Sequence, residues 1–127
     1  MHLNDSEWEV MGPVWAAKRP VRAREVHEAL AARTGWAYTT VTTLLDRLEA
    51  KGALRETREG RTRLFAARVT RSAARRSALG ALLENAFGGA AAPLLRFVVE
   101  EGRLSREDRA DLLRVLRREP GRRGKPR

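Results

Sequence analysis

Along residues 3–51 the apolar positions recur every three or four residues, and after Gly52 the repeat shortens. In LNDSEWEVMGPVWAA, Trp8, Met11 and Trp15 stand at helical spacing with Val10 and Val14 beside them, which predicts an amphipathic helix. Its start is marked too. Asn4 can cap it, Glu7 three residues on can complete a capping box, and Leu3 before the cap can staple onto Trp8. Pro13 lacks a backbone donor and is expected to kink or loosen this helix. After the basic turn KRPVR, the segment REVHEALAAR places Val26, Leu30 and the alanines on one face of a second helix, which Gly35 can terminate. In YTTVTTLLDRLEAKGAL, Val41, Leu44, Leu45 and Leu48 share the inner face of a third helix, and Gly52 supplies its stop.

Beyond Gly52 the segments ALRETR and RTRLFAARV mix Thr, Val and Phe with alternating charges around Glu59 and Gly60, a pair suited to a tight hairpin. Two short strands after a helix-turn-helix make a wing. The helical period returns at Thr70. TRSAARRSALGALLENAF carries Leu79, Leu82, Leu83 and Phe87 on one side and is broken by Gly88 and Gly89. PLLRFVVEEG is a short apolar helix, and Ser105 with Asp108 opens another whose stripe is Leu112, Val115 and Leu116. So small a helical segment cannot bury all this apolar surface by itself. Leu94, Leu95, Phe97, Val98, Leu112, Val115 and Leu116 are therefore expected to form a dimer interface. The fold class that results is mainly α with a small β wing. A winged helix-turn-helix domain is expected over 1–70, a helical dimerisation domain over 71–118 and a basic disordered tail over 119–127.

Charge sharpens this picture less than its total suggests. The 127 residues carry a formal net charge of +10, which favours polyanionic partners. Yet residues 1–70 hold 12 Lys and Arg against 9 Asp and Glu, whereas residues 114–127 hold 7 against 1. Particular positions must decide. The chain has no Cys, which excludes disulfides, thiolate metal sites and Cys nucleophiles. His2 and His27 stand apart, with no ligand spacing around them, so no metal or cofactor is expected. No phosphate loop or nucleophile-base spacing suggests an enzyme. No apolar run reaches the length of a membrane span and no secretory pattern opens the chain, so a soluble cytoplasmic protein without membrane insertion is expected.

The third helix holds the candidate chemistry. Opposite its apolar face lie Thr39, Thr43, Asp46 and Ala50, flanked by Thr40, Thr42 and Arg47. Small polar groups near a helix N-terminus let its backbone approach base edges, and a long donor further along can reach guanine or a phosphate. Thr is a mediocre helix former, so the cluster costs local stability without a packing return. In the wing, Arg55, Arg58, Arg61 and Arg63 fall within nine residues, with Glu56 and Glu59 as partial neutralisers. They are expected to meet phosphates of double-stranded DNA.

These segments resemble the penicillinase and methicillin-resistance repressors of the BlaI/MecI type. The features that carry the likeness are EWEVMGPVW, REVHEAL, WAYTTVTTLLDRLEAKG and EGRTRLF, with a looser continuation through RFVVEEGRLSREDRADLLRVLRR. The resemblance implies a homodimeric repressor on a dyad-symmetric DNA operator, with a link to antibiotic resistance. Residues 38–51 would be its recognition helix, and Tyr38, Thr39, Thr40, Thr42, Thr43 and Arg47 its reading group. It also implies relief by cleavage between Arg96 and Phe97, with a membrane metallopeptidase sensor or its downstream protease as a further partner. The chain departs from relatives at several points: Arg96 replaces an Asn, Thr39 and Thr42 replace positions that can be basic, and no Cys-rich copper motif is present. Ala37 and Arg22 stand at helix starts without a hydroxyl cap, so capping there is expected from water or DNA phosphates. Two alternatives from other classes remain, a winged-helix protein-interaction adaptor and a basic RNA-binding protein.

Overall fold

The computed structural model describes residues 1–118, so the tail expected over 119–127 lies outside the described residues. The element order is α1 (Asp5–Ala17), α2 (Ala23–Thr34), α3 (Tyr38–Lys51), β1 (Leu54–Glu59), β2 (Thr62–Ala67), α4 (Arg71–Phe87), α5 (Ala91–Glu100) and α6 (Arg106–Arg118). The strands form one antiparallel pair. The chain divides into two compact units, Met1–Ala81 and a second that begins at Leu82.

The first unit is built around α1, α2, α3 and the hairpin. The Asn4 side chain accepts from Glu7 N–H and the Glu7 carboxylate accepts from Asn4 N–H, both at 2.9 Å. Two otherwise orphaned donors are thereby satisfied. Pro13 lies inside α1 without ending it. Val10, Met11, Val14, Val26, Leu30, Val41, Leu45 and Leu48, on the faces that the helical periods single out, are buried together with Leu54 and Phe65 of the hairpin. Such burial contributes about 25 cal/mol per Å² of apolar surface removed from water.

Two features of the hairpin differ from expectation. Glu59 pairs with Thr62, so the two-residue loop is Gly60–Arg61 and not Glu59–Gly60. Gly60 has φ +66° while Arg61 does not enter the positive region, the φ pattern of a turn with glycine at its first central position. In addition, Val21 between α1 and α2 exchanges backbone hydrogen bonds with Phe65, at 2.9 and 2.8 Å. This bridge fastens β2 to the helical core from the side opposite β1.

The division between the units falls inside α4, about one helical stretch later than residue 70. Its start belongs to the first unit for local reasons: Ala74 packs against the core, and the Ser77 hydroxyl donates to the Met1 carbonyl at 3.1 Å. Trp15 Nε1 donates to the Val69 carbonyl at 2.9 Å, and the Arg71 guanidinium lies 5.3 Å from the Trp15 ring centroid.

The second unit contains the end of α4, α5 and α6. Phe87 and Phe97 meet with ring centroids 6.0 Å apart. None of the described residues of α4, α5 or α6 is buried, and Leu82, Leu95, Phe97, Leu112, Val115 and Leu116 are exposed large apolar side chains. Leu94 and Val98 are half-buried. Among the described residues no single helix is long and apolar enough to cross a membrane.

Candidate nucleic-acid interface

The orientation of α3 is set at both of its ends. At the C-terminal end the Lys51 ammonium donates to Glu7 Oε1 at 2.6 Å and to the His2 carbonyl at 2.8 Å. Glu7 is fully buried. Burial pushes its carboxyl pKa up, but the Lys51 hydrogen bond and the Asn4 N–H outweigh that cost, so the group sits below its ordinary range. At the N-terminal end, the His27 ring Nε2 stands 3.0 Å from the Trp36 carbonyl and Trp36 N–H donates to the Thr34 hydroxyl at 3.1 Å. His27 also meets Tyr38 edge-on, with centroids 5.8 Å apart. The histidine is thus a structural member of the turn.

With its inner face fixed by Val41, Leu44, Leu45 and Leu48, α3 turns Tyr38, Thr39, Thr40, Thr43 and Arg47 to the exposed side. Ser6, Trp36, Thr39, Thr40, Thr43 and Arg47 line one shallow groove. Thr42 is half-buried, and its hydroxyl donates to the Thr39 carbonyl at 3.0 Å, so it keeps only its lone pairs for other partners. Ala37 provides no side-chain cap, which leaves the first N–H groups of α3 to solvent or an anion.

A second concavity joins three elements: Arg22 and Arg24 at the start of α2, Tyr38 and Thr42 at the start of α3, and Arg61 in the wing loop. Arg24 is a candidate that the sequence pattern did not single out. Its only signal is proximity to a helix start, which becomes informative once the wing is seen to fold beside it. The capping expectation at Arg22 needs a correction. No Arg22 side-chain cap exists, but Glu25 Oε1 accepts from Arg22 N–H at 2.9 Å, so the protein itself orders this turn. Glu25 is drawn down to about 2 by its hydrogen bond with Arg19, with help from that N–H.

The wing arginines separate into distinct kinds. Arg55 and Arg61 are exposed and form no ion pair among the described residues, and the same holds for Arg47 in α3. Arg58 is 3.5 Å from Glu56 and largely exposed. Arg63 also lines the concavity of Arg22, Arg24 and Arg61, but two of its three guanidinium nitrogens, Nε and Nη2, are engaged. Its Nε and Nη2 donate to the two Glu56 oxygens at 2.9 and 3.0 Å, its Nη2 also donates to Asp46, and its guanidinium lies 5.0 Å from the Phe65 centroid. Glu56 and Asp46 raise the Arg63 pKa, and Arg63 lowers that of Glu56 despite some desolvation. Arg63 therefore differs from the free phosphate donor that its place in the sequence suggests.

The residues match the model of the penicillinase repressor family over positions 3–118. The chain belongs to that family. The transcriptional regulator BlaI of Mycobacterium tuberculosis is 44% identical over 64 residues, a match that spans 50% of this chain and 46% of the regulator, so the chain spans under half the length of that relative. The penicillinase repressor of Bacillus licheniformis is 27% identical over 114 residues, covering 90% of this chain and 88% of the repressor. Among solved structures, the Bacillus licheniformis BlaI monomer in complex with the blaP half-operator aligns with a TM-score of 0.50 at 32% identity, over 57% of this chain and 87% of that one. The family's winged-helix architecture agrees with the mainly helical fold and its small hairpin.

Proposed function

We propose that this chain is a transcriptional repressor that binds a dyad-symmetric DNA operator as a homodimer. The observation that carries the reading is the placing of the exposed Thr and Arg side of α3 beside Arg61 of the wing and Arg22 and Arg24 of the α2 start, none of the three ion-paired among the described residues, all on one unit with a shared core. Thr39, Thr40 and Thr43 let the helix approach the groove closely, Arg47 reaches a base edge or phosphate, and Tyr38, Arg22, Arg24, Arg58 and Arg61 meet the backbone on either side. The likeness to a relative solved with a half-operator supports the same assignment. Dimerisation through Leu94, Leu95, Phe97, Val98, Leu112, Val115 and Leu116 makes contact with the second half-site effectively intramolecular.

The test begins with duplexes selected by the full chain from a random pool. Arg47→Ala is expected to weaken binding to the selected duplex by about 1–3 kcal/mol while leaving the circular dichroism unchanged, since an exposed donor is removed without opening a cavity. Equal affinities for variant and wild type would refute the assignment. Relief of repression by cutting between Arg96 and Phe97 belongs to the same reading; because Phe97 lies in the proposed dimer interface, cutting requires local opening of α5. Immunoblots during exposure to a cell-wall antibiotic check it: derepression with an intact chain removes cleavage as the trigger.

A further inference from the structure

Asp46 is a carboxylate on the side of α3 assigned to DNA, where it would repel phosphates if left alone. It is 56% exposed, yet it is tied to Arg63 of β2, whose guanidinium is simultaneously held by both oxygens of Glu56 in β1. Three elements thus share one guanidinium. A planar fork can serve two carboxylates in fixed directions, which a point charge on a flexible stem cannot. The cation-π contact with buried Phe65 fixes the plane of the fork from the core side. Val21 holds Phe65 through the backbone.

From this geometry we infer that Arg63 is a positioning residue that locks the wing to the recognition helix, with Asp46 and Glu56 as its two anchors, and that it makes no phosphate contact. The inference rests on the DNA-reading assignment of α3 and the wing. Its consequence is that the angle between α3 and the Gly60–Arg61 loop is set before DNA arrives. Arg61 and Arg58 then meet the backbone in a fixed register relative to Arg47. Asp46 is neutralised by the same contact, so the helix can enter the groove without a free carboxylate facing the phosphates.

The two roles for Arg63 predict opposite behaviour of a lysine. Lys retains the charge and serves well as a phosphate ligand, but it cannot bridge Asp46 and Glu56 as a fork. Equilibrium binding of the selected duplex and of random duplex is measured across a salt series for the wild type, Arg63→Gln, Arg63→Lys, Asp46→Asn and the Asp46→Asn/Arg63→Gln double variant. Positioning predicts about a tenfold loss on the selected duplex for Arg63→Gln and a clear loss for Arg63→Lys as well, smaller only by what its charge restores at Asp46. It also predicts a double variant no worse than Arg63→Gln, whose slope of log affinity against log salt equals that of the wild type because both charges of the pair are removed together. A Lys variant that restores wild-type affinity would overturn the inference. So would a double variant whose slope falls by about 0.9, the signature of one lost phosphate contact.

The free protein gives an independent readout. Amide exchange at Gly60 and Arg61 is expected to accelerate in Asp46→Asn, an exposed substitution that leaves the core intact. No change there would count against the lock even if the DNA experiment failed for lack of a preferred duplex, an outcome that would instead refute the DNA-reading assignment.

Discussion

The two units of the chain hold similar proportions of apolar residues and use them to different ends. In Met1–Ala81 the apolar positions of α1, α2, α3 and the hairpin converge on one core, with Val10, Met11, Val41, Leu45 and Leu48 fully shielded. From Leu82 onward the apolar stripes of α5 and α6 are as regular, yet Leu95, Phe97 and Leu116 remain more than half exposed. Periodicity therefore predicts which face is apolar but not what covers it. The first unit supplies its own cover through four elements that cross. The second has too few elements to do so, which is why a second copy of the chain is the proposed cover.

Replacing apolar side chains in each region produces the largest expected effects. Leu48→Ala removes buried methyl groups from a filled core and is expected to cost about 3–5 kcal/mol in denaturant unfolding, independent of protein concentration. Leu112→Asp with Leu116→Asp is expected to leave that unfolding transition in place while converting dimers to monomers in sedimentation. If instead the double variant unfolded the first unit, the two regions would not be separable in stability. A wild type that sedimented as a monomer at micromolar concentration would remove the proposed cover.

A buried ion pair sharpens the account of the first unit. Lys51→Met leaves the buried Glu7 carboxyl with the Asn4 N–H as its one remaining hydrogen-bond partner among the described residues, since Glu7 Oε2 already lacks one. Because Lys51 is itself about one-third exposed, the expected cost is about 2–3 kcal/mol near neutral pH, below that of breaking a fully buried pair. The folded pKa of Glu7 lies below its ordinary 4.5. The pair's contribution is then fully present above that value and is lost as pH falls through the depressed folded pKa. The stability gap between wild type and Lys51→Met should therefore narrow on acidification below 4.5. A gap that stayed constant with pH would assign the effect to packing of the Lys51 stem.

What could be read from the chain follows from sequence distance. The capping box of Asn4 and Glu7 spans three residues and the inner face of α3 spans seven, so each is written in a local pattern that folding does not need to complete. The Val21 bridge to Phe65 joins positions 44 apart, and no periodicity announces it. The hairpin loop lies one residue from where Glu59 and Gly60 suggest, because register depends on which residues pair and not only on where glycine sits. The Thr residues and Arg47 were legible as a polar side of a helix. The fate of Arg63 was not: Glu56 is a visible neutraliser nearby, but Asp46 enters only when α3 and the wing fold together. Arg24 was missed for the same reason.

Gly80 offers the gentlest test, since it sits in α4 one residue before the first unit ends. Its φ is not in the positive region, and a Cβ built there meets nothing within 4 Å. Glycine inside a helix costs about 0.5–1 kcal/mol relative to alanine, mainly through the backbone freedom of the unfolded chain. Gly80→Ala is therefore expected to stabilise α4 by about that amount. The location of the gain matters more than its size. The start of α4 is held by Ala74 and Ser77 within the first unit, whereas residues 82–87 belong to the second unit, where no described side chain of the helices is buried. Amide exchange should consequently slow more over 82–87 than over 71–77, because the half of α4 without buried neighbours gains more from added helix propensity. Uniform slowing along the whole helix would mean that α4 opens as one piece and that the division after Ala81 carries no energetic boundary.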